Sequence, residues 1–148
     1  MPIVSVLLPF HEAFSTLEAA VASIREQTFD EWELLLVDDG STDGGRELAQ
    51  DLSIKDSRIR LLELPHGGIV QALNTGLDAA TGDFVARMDA DDLCFPSRLA
   101  RQFTFLEGHP DIGLVSCLVE HCGDSGAQQG YAEYIRWINE LVEPDAIS

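Results

Sequence analysis

Ile3-Val4-Ser5-Val6-Leu7-Leu8-Pro9-Phe10-His11-Glu12 is an apolar run that stops at two ionisable side chains, and the segment from Phe14 to Gln27 follows it with a different period. From Ile3 to Leu8 the run is almost continuous in Val, Ile and Leu, the pattern of a strand buried on both faces. From Phe14 onward the apolar positions Phe14, Leu17, Val21 and Ile24 recur at three- and four-residue spacing, which predicts an amphipathic helix. Ser15 followed by Glu18 offers a capping box at its start. Strand, polar turn and helix make half of a crossover unit.

The rest of the chain repeats that unit. Further strands are expected at Glu33 to Val37, Ile59 to Leu64, Phe84 to Met88 and Gly113 to Val119. Helices are expected between them. One covers about Gly44 to Leu52, with Ser41, Thr42 and Asp43 as N-cap candidates. Another carries the stripe Ile69, Leu73, Leu77 and Ala80, with Gly82 as a left-handed cap after it. A third has Pro96 in its first turn, turns Leu99, Phe103 and Leu106 inward, and stops at Gly108-His109-Pro110. Alternation at this spacing predicts an α/β chain with a mostly parallel, Rossmann-like sheet covered on both faces. Residues 1–122 make this unit. Residues 123–148 read as a glycine-containing link and an amphipathic helix from Tyr131 to Glu143 with no obvious partner in the chain.

With 148 residues, 45% of them hydrophobic and 24% charged, the chain can bury one sizeable core. Its formal charge of −17 opposes association with nucleic acid or an anionic membrane surface. Cys94, Cys117 and Cys122 are too few and odd in number for a disulfide scaffold. The apolar run at Ile3 is too short to span a membrane, and no basic residue precedes it to make a secretory signal. The expected location is cytoplasmic.

In an open parallel sheet, ligands bind beyond the carboxyl ends of the strands. Those ends read Pro9-Phe10-His11-Glu12, Asp38-Asp39-Gly40-Ser41, Pro65-His66-Gly67-Gly68 and Asp89-Ala90-Asp91-Asp92. Two acidic clusters therefore meet one edge. Carboxylates packed together repel, and a hard divalent cation offsets that repulsion while taking further ligands from a phosphate. An Asp-x-Asp pair alone is common, and on that pattern by itself a solvated acidic turn is the better account.

The blocks Val4 to Pro9, Gln27-Thr28-Phe29, Val37 to Asp43, Ala72 to Gly76, Gly82-Asp83 and Ala86 to Asp92 resemble, in order and spacing, the donor half of family 2 glycosyltransferases of the GT-A fold. The resemblance covers about residues 3–120. It implies a nucleotide-diphosphate sugar donor, usually UDP-linked, a bound Mn²⁺ or Mg²⁺, and transfer to an acceptor hydroxyl with inversion, in polysaccharide or surface-glycan assembly. By the same resemblance Pro9 and His11 line the nucleobase pocket, although many relatives have Tyr where this chain has His11, and Glu12 adjoins them. Asp39 accepts the imide N–H of uracil, Asp38 orients the turn or approaches the base, and Gly68 lets backbone pass close to the nucleotide. Asp89 lies near ribose or metal, Asp91 ligates the metal, and Asp92 has a variable role. Arg87 either pairs with an Asp or reaches the diphosphate.

His66 and His109 match no functional position and read as loop residues. Cys117, His121 and Cys122 lack a fourth ligand for zinc. The resemblance places the general base and the acceptor-binding segment beyond Ser148, with a glycan or lipid-linked saccharide as acceptor, which leaves a peripheral place at the inner face of a membrane open to the parent protein. The apolar stripe of the last helix, left without its usual cover, favours self-association. Three other readings compete. A silent nucleotide-binding or interaction module would keep the fold without turnover. A phosphoacceptor receiver domain needs a lysine at a late strand end, whereas the only lysine is Lys55. A dinucleotide site needs Gly-x-Gly-x-x-Gly after the first strand, which is absent.

Overall fold

The computed structural model describes residues 1–121 and 129–140. Strands β1 (Val4–Phe10), β2 (Trp32–Asp38), β3 (Ile59–Glu63) and β4 (Phe84–Arg87) form one parallel sheet in the order β3-β2-β1-β4. Helices α1 (Phe14–Arg25), α2 (Gly45–Lys55) and α3 (Ile69–Ala79) form the connections, α4 (Arg98–Gly108) follows β4, and α5 (Gln129–Glu140) comes last.

Burial explains which strands are central. Every residue of β1 and β2 is buried, whereas β3 and β4, at the edges, are only partly so. Side-chain alternation splits the two central strands between two cores. Val4, Val6, Leu8, Phe10, Leu34 and Leu36 pack with Leu17, Val21 and Ile24 of α1, Leu52 of α2 and Leu99 of α4. Leu7, Leu35 and Val37 pack on the other face with Ala72 of α3.

β1 runs two residues beyond the expected end at Leu8 and contains Pro9. The peptide oxygen of Leu7 accepts Met88 N–H from the β4 side, and that of Phe10 accepts Asp39 N–H from the β2 side. By alternation Pro9 faces β4. Pairing with β4 ends at Leu7↔Arg87, so the missing proline N–H interrupts no ladder bond.

Several local expectations are corrected. Gly113 to Val119 is not a strand. Leu114 and Leu118 are exposed, and the Asn139 side-chain amide, rather than a neighbouring strand, takes both peptide groups of Val119 at 2.9 and 2.7 Å. Ser15 and Glu18 do not cap α1; its N-cap is Ala13, and Phe14 N–H donates to Asp43 Oδ2 at 2.8 Å. Asp43 Oδ1 also accepts Gly45 N–H at 2.9 Å, so one carboxylate holds the starts of α1 and α2. Phe14, expected inward, is exposed, as are Ile69 and Leu77; the buried face of α3 is Ala72 and Gly76. The final helix starts at Gln129, and the expected part past Glu140, with the 123–128 link and Cys122, lies outside the described residues.

Gly82 is not a left-handed helix cap, because α3 already ends at an extended Ala80. Its role is close approach. A Cβ there would lie 2.8 Å from the backbone oxygen of Ile3 and 2.8 Å from the backbone nitrogen of Ser5. Gly82→Ala must push the entry to β4 away from β1, and the expected loss is about 2 kcal/mol, typical of overpacking against rigid atoms. Urea denaturation checks it; an unchanged midpoint would show that the β1–β4 contact yields freely.

Candidate functional site at the carboxyl edge

The ladders pair Phe10 with Asp38 and Asp38 with Glu63, so the turns after β1, β2 and β3 emerge side by side. The turn after β2 is the anchor. Asp38 is fully buried and points into the protein, where Oδ1 accepts Ser41 N–H at 2.8 Å and Oδ2 pairs with Arg46 Nε at 2.6 Å. Gly40 has φ of +79°, and a Cβ there would lie 2.7 Å from the backbone nitrogen of His66. Only glycine lets the turns after β2 and β3 touch at this point.

Asp39 faces the turn after β3. Its Oδ1 accepts Gly67 N–H at 2.8 Å and its Oδ2 accepts Gly68 N–H at 2.9 Å. His66 Nδ1 lies 2.9 Å from Oδ2 and 3.0 Å from Asp39 O. Both are acceptors, so Nδ1 carries the ring proton. Burial pushes the Asp39 carboxyl up, but the N–H groups of Gly67 and Gly68 and the nearby rings of His66 and His11 outweigh it and hold the group below the usual carboxylate range.

His11 stacks on His66, with ring centroids 4.3 Å apart. The next residue, Glu12, has φ of 52°. Its N–H donates to Ser41 Oγ at 3.1 Å, and its Oε1 accepts from Thr42 N–H at 2.6 Å and Thr42 Oγ1 at 3.0 Å. His11, Asp39, His66 and Gly68 are thus brought together at the strand ends, with Glu12 joined to the same turns through Ser41 and Thr42, whereas Pro9 and Asp38 are buried. His66 was not foreseen. Its only sequence signal was its place between Pro65 and two glycines at a strand end.

The second acidic cluster follows β4, across the end of β1 from Asp39. Arg87 NH2 lies 3.0 Å from Asp89 Oδ1, and both side chains are about half exposed. Asp91 and Asp92 are exposed on the same turn. Partial burial and the charges of Asp91 and Asp89 push the Asp92 carboxyl up, against the opposing Arg98 and Arg87. This is the repulsion that a cation relieves. The donor chemistry of these carboxylates is that of a hard divalent ion such as Mg²⁺ or Mn²⁺.

Glu33, on β2, was expected to do no more than begin a strand. It is buried at the opposite, amino end of the sheet, where Ser5 Oγ, Thr81 N–H, Thr81 Oγ1 and Arg60 all reach it within 2.9 Å. Cys94 is buried and Cys117 exposed, both as free thiols. His109 stacks on Phe105 at the end of α4. Among the described residues no helix is long and apolar enough to cross a membrane.

Comparison with known proteins supplies the family. Residues 5–143 match Glycosyl transferase family 2, and the chain belongs to it. EpsE of Bacillus subtilis (strain 168), named as a glycosyltransferase, is 42% identical over 110 residues, covering 73% of this chain and 40% of that protein. The UDP-Glc:alpha-D-GlcNAc-diphosphoundecaprenol beta-1,3-glucosyltransferase WfgD of Escherichia coli is 37% identical over 105 residues, covering 70% of this chain and 41% of its own length. The mannosyltransferase PcManGT of Pyrobaculum calidifontis, solved with GDP-Man and Mn²⁺, superposes with a TM-score of 0.73 at 32% identity, over 80% of this chain and 36% of that one. The chain therefore spans less than half the length of each of these relatives. The architecture is that of GT-A glycosyltransferases, an α/β chain with a four-stranded parallel sheet.

Proposed function

We propose that residues 1–122 hold the nucleotide-diphosphate sugar donor of an inverting glycosyltransferase, with the nucleobase at Asp39 and the diphosphate over the turn from Asp89 to Asp92. The observation that carries this is the buried Asp39 carboxylate, fixed by two glycine N–H groups at the carboxyl end of the sheet. An ionised acceptor held so firmly discriminates between bases. It matches the imide N–H of uracil, which supports a UDP-linked donor. The UDP-Glc named for the E. coli relative agrees with that choice, whereas the archaeal structure holds GDP-Man.

His11 and Pro9 line the base, Gly68 keeps the backbone close to it, and Asp38 holds the β2 turn in shape through Arg46 and Ser41. Asp89 and Asp91 are the residues that would hold Mn²⁺ or Mg²⁺, and such an ion supplies charge neutralisation to the departing diphosphate. Arg87, already beside Asp89, adds positive charge at the same turn. In the whole protein, residues 123–148 lead toward the acceptor region. The acceptor is a glycan or lipid-linked saccharide in polysaccharide or surface-glycan synthesis, as the diphosphoundecaprenol named for the E. coli relative suggests.

Calorimetric titration of UDP with Mn²⁺ and with chelator tests the reading. Binding is expected to require the metal and to weaken at least about tenfold in Asp91→Ala, the loss of one charged metal ligand. Absence of UDP binding by the folded chain, with or without metal, would leave a silent module as the better account.

A further inference from the structure

We propose that His11, Asp39 and His66 form a site for one borderline divalent transition-metal ion of the Zn²⁺ class, apart from the acidic turn after β4. The three come from the turns after β1, β2 and β3, and each offers one ligand atom within 4.8 Å of the others. Among the described residues this is the group of His, Cys, Asp and Glu side chains compact enough to close on an ion. Its chemistry differs from that of the Asp89 to Asp92 turn. Two imidazoles and one carboxylate select zinc-like ions, whereas carboxylates alone suit Mg²⁺ or Mn²⁺.

Little has to move. Bonds of about 2.0–2.2 Å around a tetrahedral ion put neighbouring ligand atoms about 3.4 Å apart. His66 Nδ1 and Asp39 Oδ2 now stand 2.9 Å apart with a proton between them. Separating them by a few tenths of an ångström admits the ion, and the ring proton moves to Nε2. His11 and His66 are exposed rings in contact, and the ligand nitrogen of His11 already lies within 4.8 Å of the other two ligand atoms, so an exposed side chain has the remaining gap to close. Asp39 is already fixed by Gly67 and Gly68, which supplies one preorganised ligand. Three protein ligands leave a position open to water or to an incoming ligand.

Occupation would immobilise the ring and the carboxylate assigned above to the nucleobase, so this ion would oppose donor binding while Mn²⁺ supports it. That consequence rests on the proposed donor site; the metal site itself does not.

The test is calorimetric titration of ZnCl₂ into the full chain in a non-chelating buffer. One equivalent is expected to bind, at least about tenfold more weakly in His66→Ala and in His11→Ala, and unchanged in Asp91→Ala and His109→Ala. Both ring variants alter exposed side chains, and circular dichroism verifies their fold. No binding heat, binding indifferent to both ring variants, or binding lost only in Asp91→Ala would overturn the proposal. In a second arm UDP and Mn²⁺ are titrated into Zn²⁺-saturated protein, with an expected loss of at least about tenfold in affinity. Unweakened UDP binding overturns the antagonism. UDP binding absent even without Zn²⁺ overturns the donor reading, while the first titration still decides the metal site.

Discussion

Asp39→Ala is expected to weaken UDP binding more than about a hundredfold, equivalent to about 2.7 kcal/mol. Two effects add. The substitution removes the ionised acceptor assigned to the imide N–H, and it frees the turn that shapes the pocket, because Gly67 and Gly68 N–H both end on this carboxylate. Hydrogen bonds to an ionised group contribute about 1.5–3 kcal/mol each. Asp39→Asn separates the two effects. The amide keeps the volume and one acceptor oxygen, so the turn is better retained, yet its NH₂ group meets the uracil N–H donor to donor. UDP binding should therefore fall steeply in Asn as well, while amide exchange at Gly67 and Gly68 accelerates mainly in Ala. A pyrimidine control uses the intact protein: cytosine presents a lone pair at N3, so CDP should bind at least about tenfold more weakly than UDP. Equal binding of UDP and CDP, or a small effect in both variants, would remove Asp39 from base recognition.

The readable parts of the sequence were those in which local pattern and tertiary environment agree. The middles of β1 and β2 are runs of Val and Leu because both faces are covered, and that composition needs no knowledge of a partner. The segment Gly113 to Val119 has an equally good strand composition, but a strand exists only where another strand supplies the ladder, and here Asn139 supplies the hydrogen bonds instead. Helix starts failed for a related reason. Ser15 and Glu18 form the right local signal, yet the group that reaches Phe14 N–H is Asp43, 29 residues away.

At the carboxyl edge the acidic residues were visible because three strands end in short polar turns. His66 was not, since its significance lies in Asp39, 27 residues earlier, and in the His11 ring stacked on it. Separation along the chain hid Glu33 more completely. A charged residue at the start of an apolar run reads as a boundary, whereas the folded chain surrounds it with Ser5, Arg60 and Thr81.

That Glu33 cluster yields the second large effect. Burial pushes its carboxyl up, but hydrogen bonds from Ser5 and Thr81 and from Arg60 win, and they hold it at about 2 instead of 4.5. A carboxyl lowered on folding contributes stability that is complete above its unfolded value. The contribution disappears as pH falls from about 4.5 toward about 2, where folded and unfolded chains bind the same proton. Its size at neutral pH is on the order of 3 kcal/mol. Glu33→Gln presents an NH₂ group to a ring of donors and forfeits the charge, so its urea midpoint at pH 7 should correspond to a loss of that order. Measured from pH 7 downward, the stabilities of the two proteins should converge below about pH 4.5, with the steeper change in the parent chain. A constant gap from pH 7 to 3 would mean that the group acts through packing alone. The location makes the measurement useful for the donor site too: Ser5, Glu33 and Thr81 tie β1 and β2 to the entry of β4 at the amino end of the sheet, far along the strands from Asp39 and Asp91. Glu33→Gln should therefore lower stability while leaving UDP affinity unchanged below its unfolding midpoint, whereas Asp39→Asn should lower UDP affinity by far more than its change in urea midpoint accounts for.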